Sequence, residues 1–99
     1  MKQFGELIRK LREDNGYPLR VVSAKLNIDQ AILSKIERGQ RKATKEHIKI
    51  LADFFNYDVK SLKVAYLSDI VAYELVDEED SSKVLKVAEE KINYLRSKK

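Results

Sequence analysis

Two short apolar-periodic segments separated by only three residues, Asn27-Ile28-Asp29, constrain this chain more than any other feature. The first, about residues 19–26, offers Val22 and Leu26 to one side with the small Ser23 between them; the second places Ile32 or Leu33 with Ile36 on a narrow apolar face. Asn27 tolerates the left-handed conformation that a tight inter-helix turn requires, and Ile28 behind it can plug the corner. Asp29 is expected to cap the second helix, its carboxylate accepting from first-turn amides, and Gly39 to end it. Helices joined this closely must cross steeply. The second, Gln30 to Arg38, is too short to persist alone, so neighbours must hold it while Gln30, Ala31, Ser34 and Lys35 lie towards another side.

The remaining chain reads as helix throughout. Phe4, Leu7, Ile8 and Leu11 recur at helical spacing between Lys2 and Asp14, and Asn15-Gly16 ends that run. Pro18 suits a helix start, since its fixed φ and missing donor do no harm there. Thr44 is the N-cap expected for a fourth helix reaching Phe55, with Ile48, Leu51, Ala52 and Phe55 as its core stripe. Asn56-Tyr57 breaks the pattern, and Asp58 can cap a fifth helix whose apolar positions Leu62, Ala65, Tyr66, Ile70, Tyr73 and Val76 run for about five turns. Asp77 to Asp80 and Ser81-Ser82 mark a turn into a sixth, where Val84, Ala88, Ile92 and Leu95 fall on one line. Three glycines, one proline and no strictly alternating segment make the expected class all-α, with about six helices.

Composition narrows the chemistry. A chain of 99 residues with 43% hydrophobic content is one domain, or one domain with an extension, and has little room for a large enclosed active site. No cysteine and one histidine, His47, leave no thiolate or histidine-based metal site. No cofactor, metal or small-molecule substrate is implied. The N-terminus is charged within its first turns and no run approaches the ~18 apolar residues of a membrane span, so a soluble cytoplasmic protein is expected. The net charge of +4 is unevenly held: residues 1–57 carry 12 Lys and Arg against 7 Asp and Glu, a balance of +5, and residues 58–99 carry 8 against 9, a balance of −1. The positive charge belongs to the N-terminal part, but a solvated helical surface is also rich in charge, so composition alone is only weak support for a polyanion partner.

The stretch YPLRVVSAKLNIDQAILSKIERGQRK, Tyr17 to Lys42, resembles the Xre/Cro-type, lambda-repressor-like helix-turn-helix of phage repressors and small bacterial regulators, including the controllers that accompany restriction-modification genes. The resemblance covers roughly Phe4 to Leu62. It implies a five-helix DNA-binding unit over residues 1–62, followed by a helical extension over residues 63–99. It also implies that the helix from Gln30 lies in the major groove of double-stranded DNA while the helix before it crosses the backbone. The Gln30 amide can engage an adenine edge, Ala31 and Ile32 can meet thymine methyls, although Ile32 is equally able to point inward, and Lys35 can reach a guanine edge or a phosphate. Arg38, Arg41 and Lys42 occupy the positions that grip the sugar-phosphate backbone, with Arg20, Lys25 and Lys45 as further candidates; any one of them is as readily an ordinary solvated cation. Glu37 would repel phosphate unless neutralised. The resemblance implies an ion pair with Arg12 of the first helix. Many relatives begin the supporting helix with Ser or Thr followed by Gln, whereas this chain has Pro18 and Leu19, so one backbone clamp is missing.

The extension is expected to form a homodimer, because one short recognition helix reads few base pairs and a two-fold dimer doubles the contact over half-sites about 34 Å apart. Tyr66, Ile70, Tyr73, Ile92 and Leu95 are its candidate residues, although a stripe at that spacing serves a core equally well. The reading is a sequence-specific regulator on an inverted-repeat operator; the alternative is a protein-interaction module or an antitoxin using the same scaffold. An enzyme is not expected. His47 reads as a surface or capping residue, and Asp77 to Asp80 lacks the ligand spacing of a calcium loop.

Overall fold

A computed structural model describes residues 3–98. Six helices follow one another: α1 (Phe4–Asp14), α2 (Leu19–Leu26), α3 (Gln30–Glu37), α4 (Lys45–Phe54), α5 (Val59–Leu75) and α6 (Ser81–Ser97), with no strand among the described residues. The architecture is all-α. The start expected for the first helix at Lys2 lies outside the described residues.

The first four helices end the same way. At each C-terminus a residue with positive φ, Gly16, Asn27, Gly39 or Asn56, turns the chain so that two backbone amides close back onto the last turn. At α3, Gly39 N donates to Ile36 O at 3.1 Å and Gln40 N to Lys35 O at 2.8 Å; at α2, Asn27 N donates to Ala24 O at 3.1 Å and Ile28 N to Ser23 O at 3.0 Å. This is the Schellman closure, which satisfies carbonyls a helix end leaves unpaired. Asparagine serves at two of the four sites because its short polar side chain tolerates the left-handed region.

The helix starts are more varied. Thr44 and His47 cap α4 reciprocally: His47 N donates to Thr44 Oγ1 at 3.1 Å, and Thr44 N donates to His47 Nδ1 at 3.2 Å. The Asp58 carboxylate accepts from Ser61 N at 2.9 Å and from the Ser61 hydroxyl at 2.7 Å, and this holds its pKa below the ordinary value. Asp29 departs from expectation. It occupies the N-cap position of α3 with extended backbone, but its side chain makes no capping hydrogen bond. It is an exposed residue whose carboxylate has water as the alternative partner.

The chain divides into two compact units, Met1–Asp69 and Ile70–Lys99, with the boundary inside α5. In the first, α3 packs against α1 and α2, and α2 also packs against α4. Its core is Phe4, Ile8, Val22, Leu26, Leu33, Ile36, Ala43, Ile48, Leu51, Ala52 and Leu62. Ala43 is buried although it belongs to the basic loop before α4, so the loop turns inward there. The first unit also runs past residue 62. The next turns of α5 are tied into it by Tyr66 and by Asp69, whose carboxylate accepts the Phe4 amide at 2.8 Å and so caps α1 from a distant helix. The second unit contains the end of α5, the acidic turn and α6, and no residue of α6 is buried. The line Val84, Ala88, Ile92 and Leu95 is therefore not a core stripe within the described chain.

Candidate nucleic-acid interface

α1 and α2 hold α3. Leu33, Ile36 and Glu37 are its buried residues, and Gln30, Ala31 and Lys35 are exposed. Ile32, for which two directions were open, is half-buried and packs against the core. Ser34 is also half-buried. The free surface of α3 is thus narrow: an amide, a methyl and an ammonium within about a turn and a half.

Among the described residues of the first unit, Glu37 is the one charged residue that is buried. Arg12 meets it with both edges of its fork, Nε donating to Oε2 at 2.7 Å and Nη2 to Oε1 at 3.0 Å, while Nη1 donates to the Tyr17 carbonyl at 3.0 Å. The hydrogen bond to Glu37 holds the guanidinium pKa above its ordinary value, in opposition to the desolvation that burial imposes. The Glu37 side chain is 4% exposed and that of Arg12 12%. One pair therefore fastens α1, the α1–α2 turn and the end of α3 together, and it removes from α3 a negative charge that would oppose phosphate.

A second fastening is steric. Gly5 lies against the C-terminal carbonyls of α3, so that a Cβ placed there would stand 2.5 Å from Glu37 O and 2.9 Å from Glu37 C, and would also strike Ile36 O. Only glycine allows α1 this close. An isolated glycine inside a helical pattern is itself a sequence signal of close approach, and Gly5 could have been singled out on that ground.

Arg20, Arg38, Arg41, Lys42 and Lys45 are all exposed. Arg38 folds back, Nε donating to Ser34 O at 3.3 Å, and Lys25 sits 5.5 Å from the centre of the Phe54 ring. Arg41 and Lys42 belong to a loop anchored immediately behind them. The Tyr66 hydroxyl donates to the Ala43 carbonyl, and its ring meets Phe4 edge-on with centroids 5.3 Å apart. Tyr66, one of the stripe residues that suit an interface or a core equally, packs against the core and anchors the basic loop. No local pattern announces a contact between residues 43 and 66. Of the other stripe residues, Ile70 is half-buried, while Tyr73, Ile92 and Leu95 are 55%, 47% and 60% exposed.

A shallow depression on α2 is lined by Arg20, Val21, Ala24 and Lys25. No helix among the described residues is long and apolar enough to cross a membrane.

An exposed polar face on a short helix, buried behind and followed by a basic loop, defines a DNA-binding helix-turn-helix protein. The helix-turn-helix family matches residues 8–62, more than half of the chain, and the chain belongs to that family, the Xre/lambda-repressor-like group of DNA-binding regulators. No curated protein and no solved structure matches it.

Proposed function

We propose that this protein is a sequence-specific transcriptional regulator that occupies an inverted-repeat operator as a homodimer. α3 enters the major groove, where Gln30 reads an adenine edge, Ala31 contacts a thymine methyl and Lys35 reaches a guanine edge or a phosphate. Ile32 supports the helix from the core side. Arg20, Arg38, Arg41, Lys42 and Lys45 neutralise phosphates and set affinity and salt dependence. The helices after residue 69 bring two copies together on a two-fold axis, giving two half-sites about one DNA turn apart.

The observation that carries this reading is the division of α3, with Leu33, Ile36 and Glu37 buried and Gln30, Ala31 and Lys35 presented beside Arg38 and the anchored Arg41-Lys42 loop. Binding-site selection from a random duplex pool, followed by titration over a salt series, tests it. A palindromic site and a steep fall of log affinity with log salt are expected. Gln30→Ala should relax preference at one base position by about 1–3 kcal/mol, whereas Arg41→Ala should weaken all sequences alike and flatten the salt slope. Flat or absent DNA binding would refute the reading and favour a protein partner for the same scaffold.

A further inference from the structure

Two acids stand on α3 and its flanks, from Asn27 to Lys42, and the fold treats them differently. Glu37 is buried and held by both edges of the Arg12 fork. Asp29 is exposed, and among the described residues its carboxylate meets neither a hydrogen-bond donor nor a cation. It has the position and the extended backbone of an N-cap, φ −70° and ψ 151°, without the bond that would make it one. A bare carboxylate on a face turned to a polyanion weakens binding to every sequence alike, unless it finds a donor at particular ones.

Its place decides which donors are in reach. Asp29 immediately precedes Gln30, the first residue of α3. In helix-turn-helix docking the N-terminal side chains of this helix meet the base edges, so Asp29 addresses the base pair next to the one Gln30 reads. On the floor of the major groove, thymine O4 and guanine O6 and N7 are acceptors that repel a carboxylate. The exocyclic amines, cytosine N4 and adenine N6, carry the hydrogens. Adenine sets its N7 acceptor beside the amine, where it opposes the second carboxylate oxygen; cytosine has no acceptor there.

We infer that Asp29 is a specificity-determining residue that accepts a hydrogen bond from cytosine N4 at the base pair adjacent to the one read by Gln30, and rejects guanine and thymine there. This rests on the DNA-binding reading above and adds to it a residue and a base. Exclusion matters as much as attraction, because a wrong base leaves the carboxylate desolvated against another acceptor.

The test is binding-site selection from a random duplex pool with full-length wild type, Asp29→Asn and Asp29→Ala, followed by titration of operators carrying each base at the nominated position. Gln30→Ala locates the neighbouring position. Wild type should prefer cytosine there by ~5-fold or more over guanine and thymine. Asparagine caps a helix as well as aspartate does, so Asp29→Asn should keep the denaturation midpoint. Its amide pairs a donor with an acceptor, so the preference should move from cytosine towards adenine. Asp29→Ala should lose preference at that position alone, and both variants should hold unrelated duplexes more tightly than wild type. A selected operator with the same base preferences in wild type and both Asp29 variants overturns the inference and leaves the DNA-binding reading standing. A wild-type preference for adenine at that position overturns the choice of cytosine. Absence of duplex binding by wild type overturns both readings.

Discussion

Arg12→Met is the sharpest perturbation of the first unit. It deletes two charge-assisted hydrogen bonds, the 2.7 Å and 3.0 Å contacts to Glu37, and strands a carboxylate whose side chain is 4% exposed. At about 1.5–3 kcal/mol for each such bond, the loss is about 3–6 kcal/mol, in line with the ~3–5 kcal/mol that follows removal of one partner from a buried pair. Adding Glu37→Leu removes the stranded charge. The double variant should recover most of the loss, because a buried ion pair replaced by apolar groups of similar size is often neutral or better. Chemical denaturation followed by far-UV circular dichroism on the four members of the cycle measures both quantities. DNA affinity supplies a second readout: the double variant should regain stability but bind more weakly than wild type, because the fork also fixes the end of α3 relative to the Tyr17 carbonyl. A loss below about 1 kcal/mol for Arg12→Met, or a double variant no more stable than the single one, would refute the reasoning.

Gly5→Ala, which in an ordinary helix interior stabilises by about 0.5–1 kcal/mol, should here destabilise by about 1–3 kcal/mol, because the methyl meets the backbone of Ile36 and Glu37; the sign of the change in denaturation midpoint decides it. Tyr66→Phe keeps the ring on Phe4 and removes the bond to Ala43, so stability should fall by about 1 kcal/mol and affinity should fall alike on all DNA sequences; a change in base preference instead would show that the loop does more than hold phosphate. The Asp58 carboxylate titrates below its ordinary 3.8 because of Ser61, so its contribution to stability is present above the unfolded pKa and disappears as pH falls through the folded one. In Ser61→Ala its NMR titration midpoint should move up towards 3.8.

Much of the first unit can be read from local chemistry. The spacing of Val22, Leu26, Leu33 and Ile36, the left-handed Asn27 and the stop at Gly39 depend on neighbours within a few residues, so α2, the turn and α3 are legible in the chain itself. α3 ends at Glu37 with Arg38 as its cap, one residue short of the expected end, because the Schellman closure uses the residue before the glycine. The exposed side of α3 follows from the same periodicity. The Arg12–Glu37 geometry does not. Resemblance brought the two residues together, and the bidentate fork with its third bond to Tyr17 belongs to the packing of α1 on α3.

Three roles are legible only in the folded chain. Tyr66 sits in a stripe that suits an interface or a core equally, and Ala43 and Asp69 carry no local signal, because the Tyr66–Ala43 and Asp69–Phe4 contacts span 23 and 65 residues. Burial of a small loop residue and capping of one helix by another are decided when the helices converge, where an unpaired amide or carbonyl must find whichever group is nearest. By itself the sequence determined the helices, their terminators, the polar face of α3 and the basic exit that follows it, because each rests on spacing within a turn or two. Tertiary structure alone decided that α1 approaches α3 through a glycine, that α5 anchors the basic loop, and that no residue of α6 is buried, because these depend on where separate helices meet.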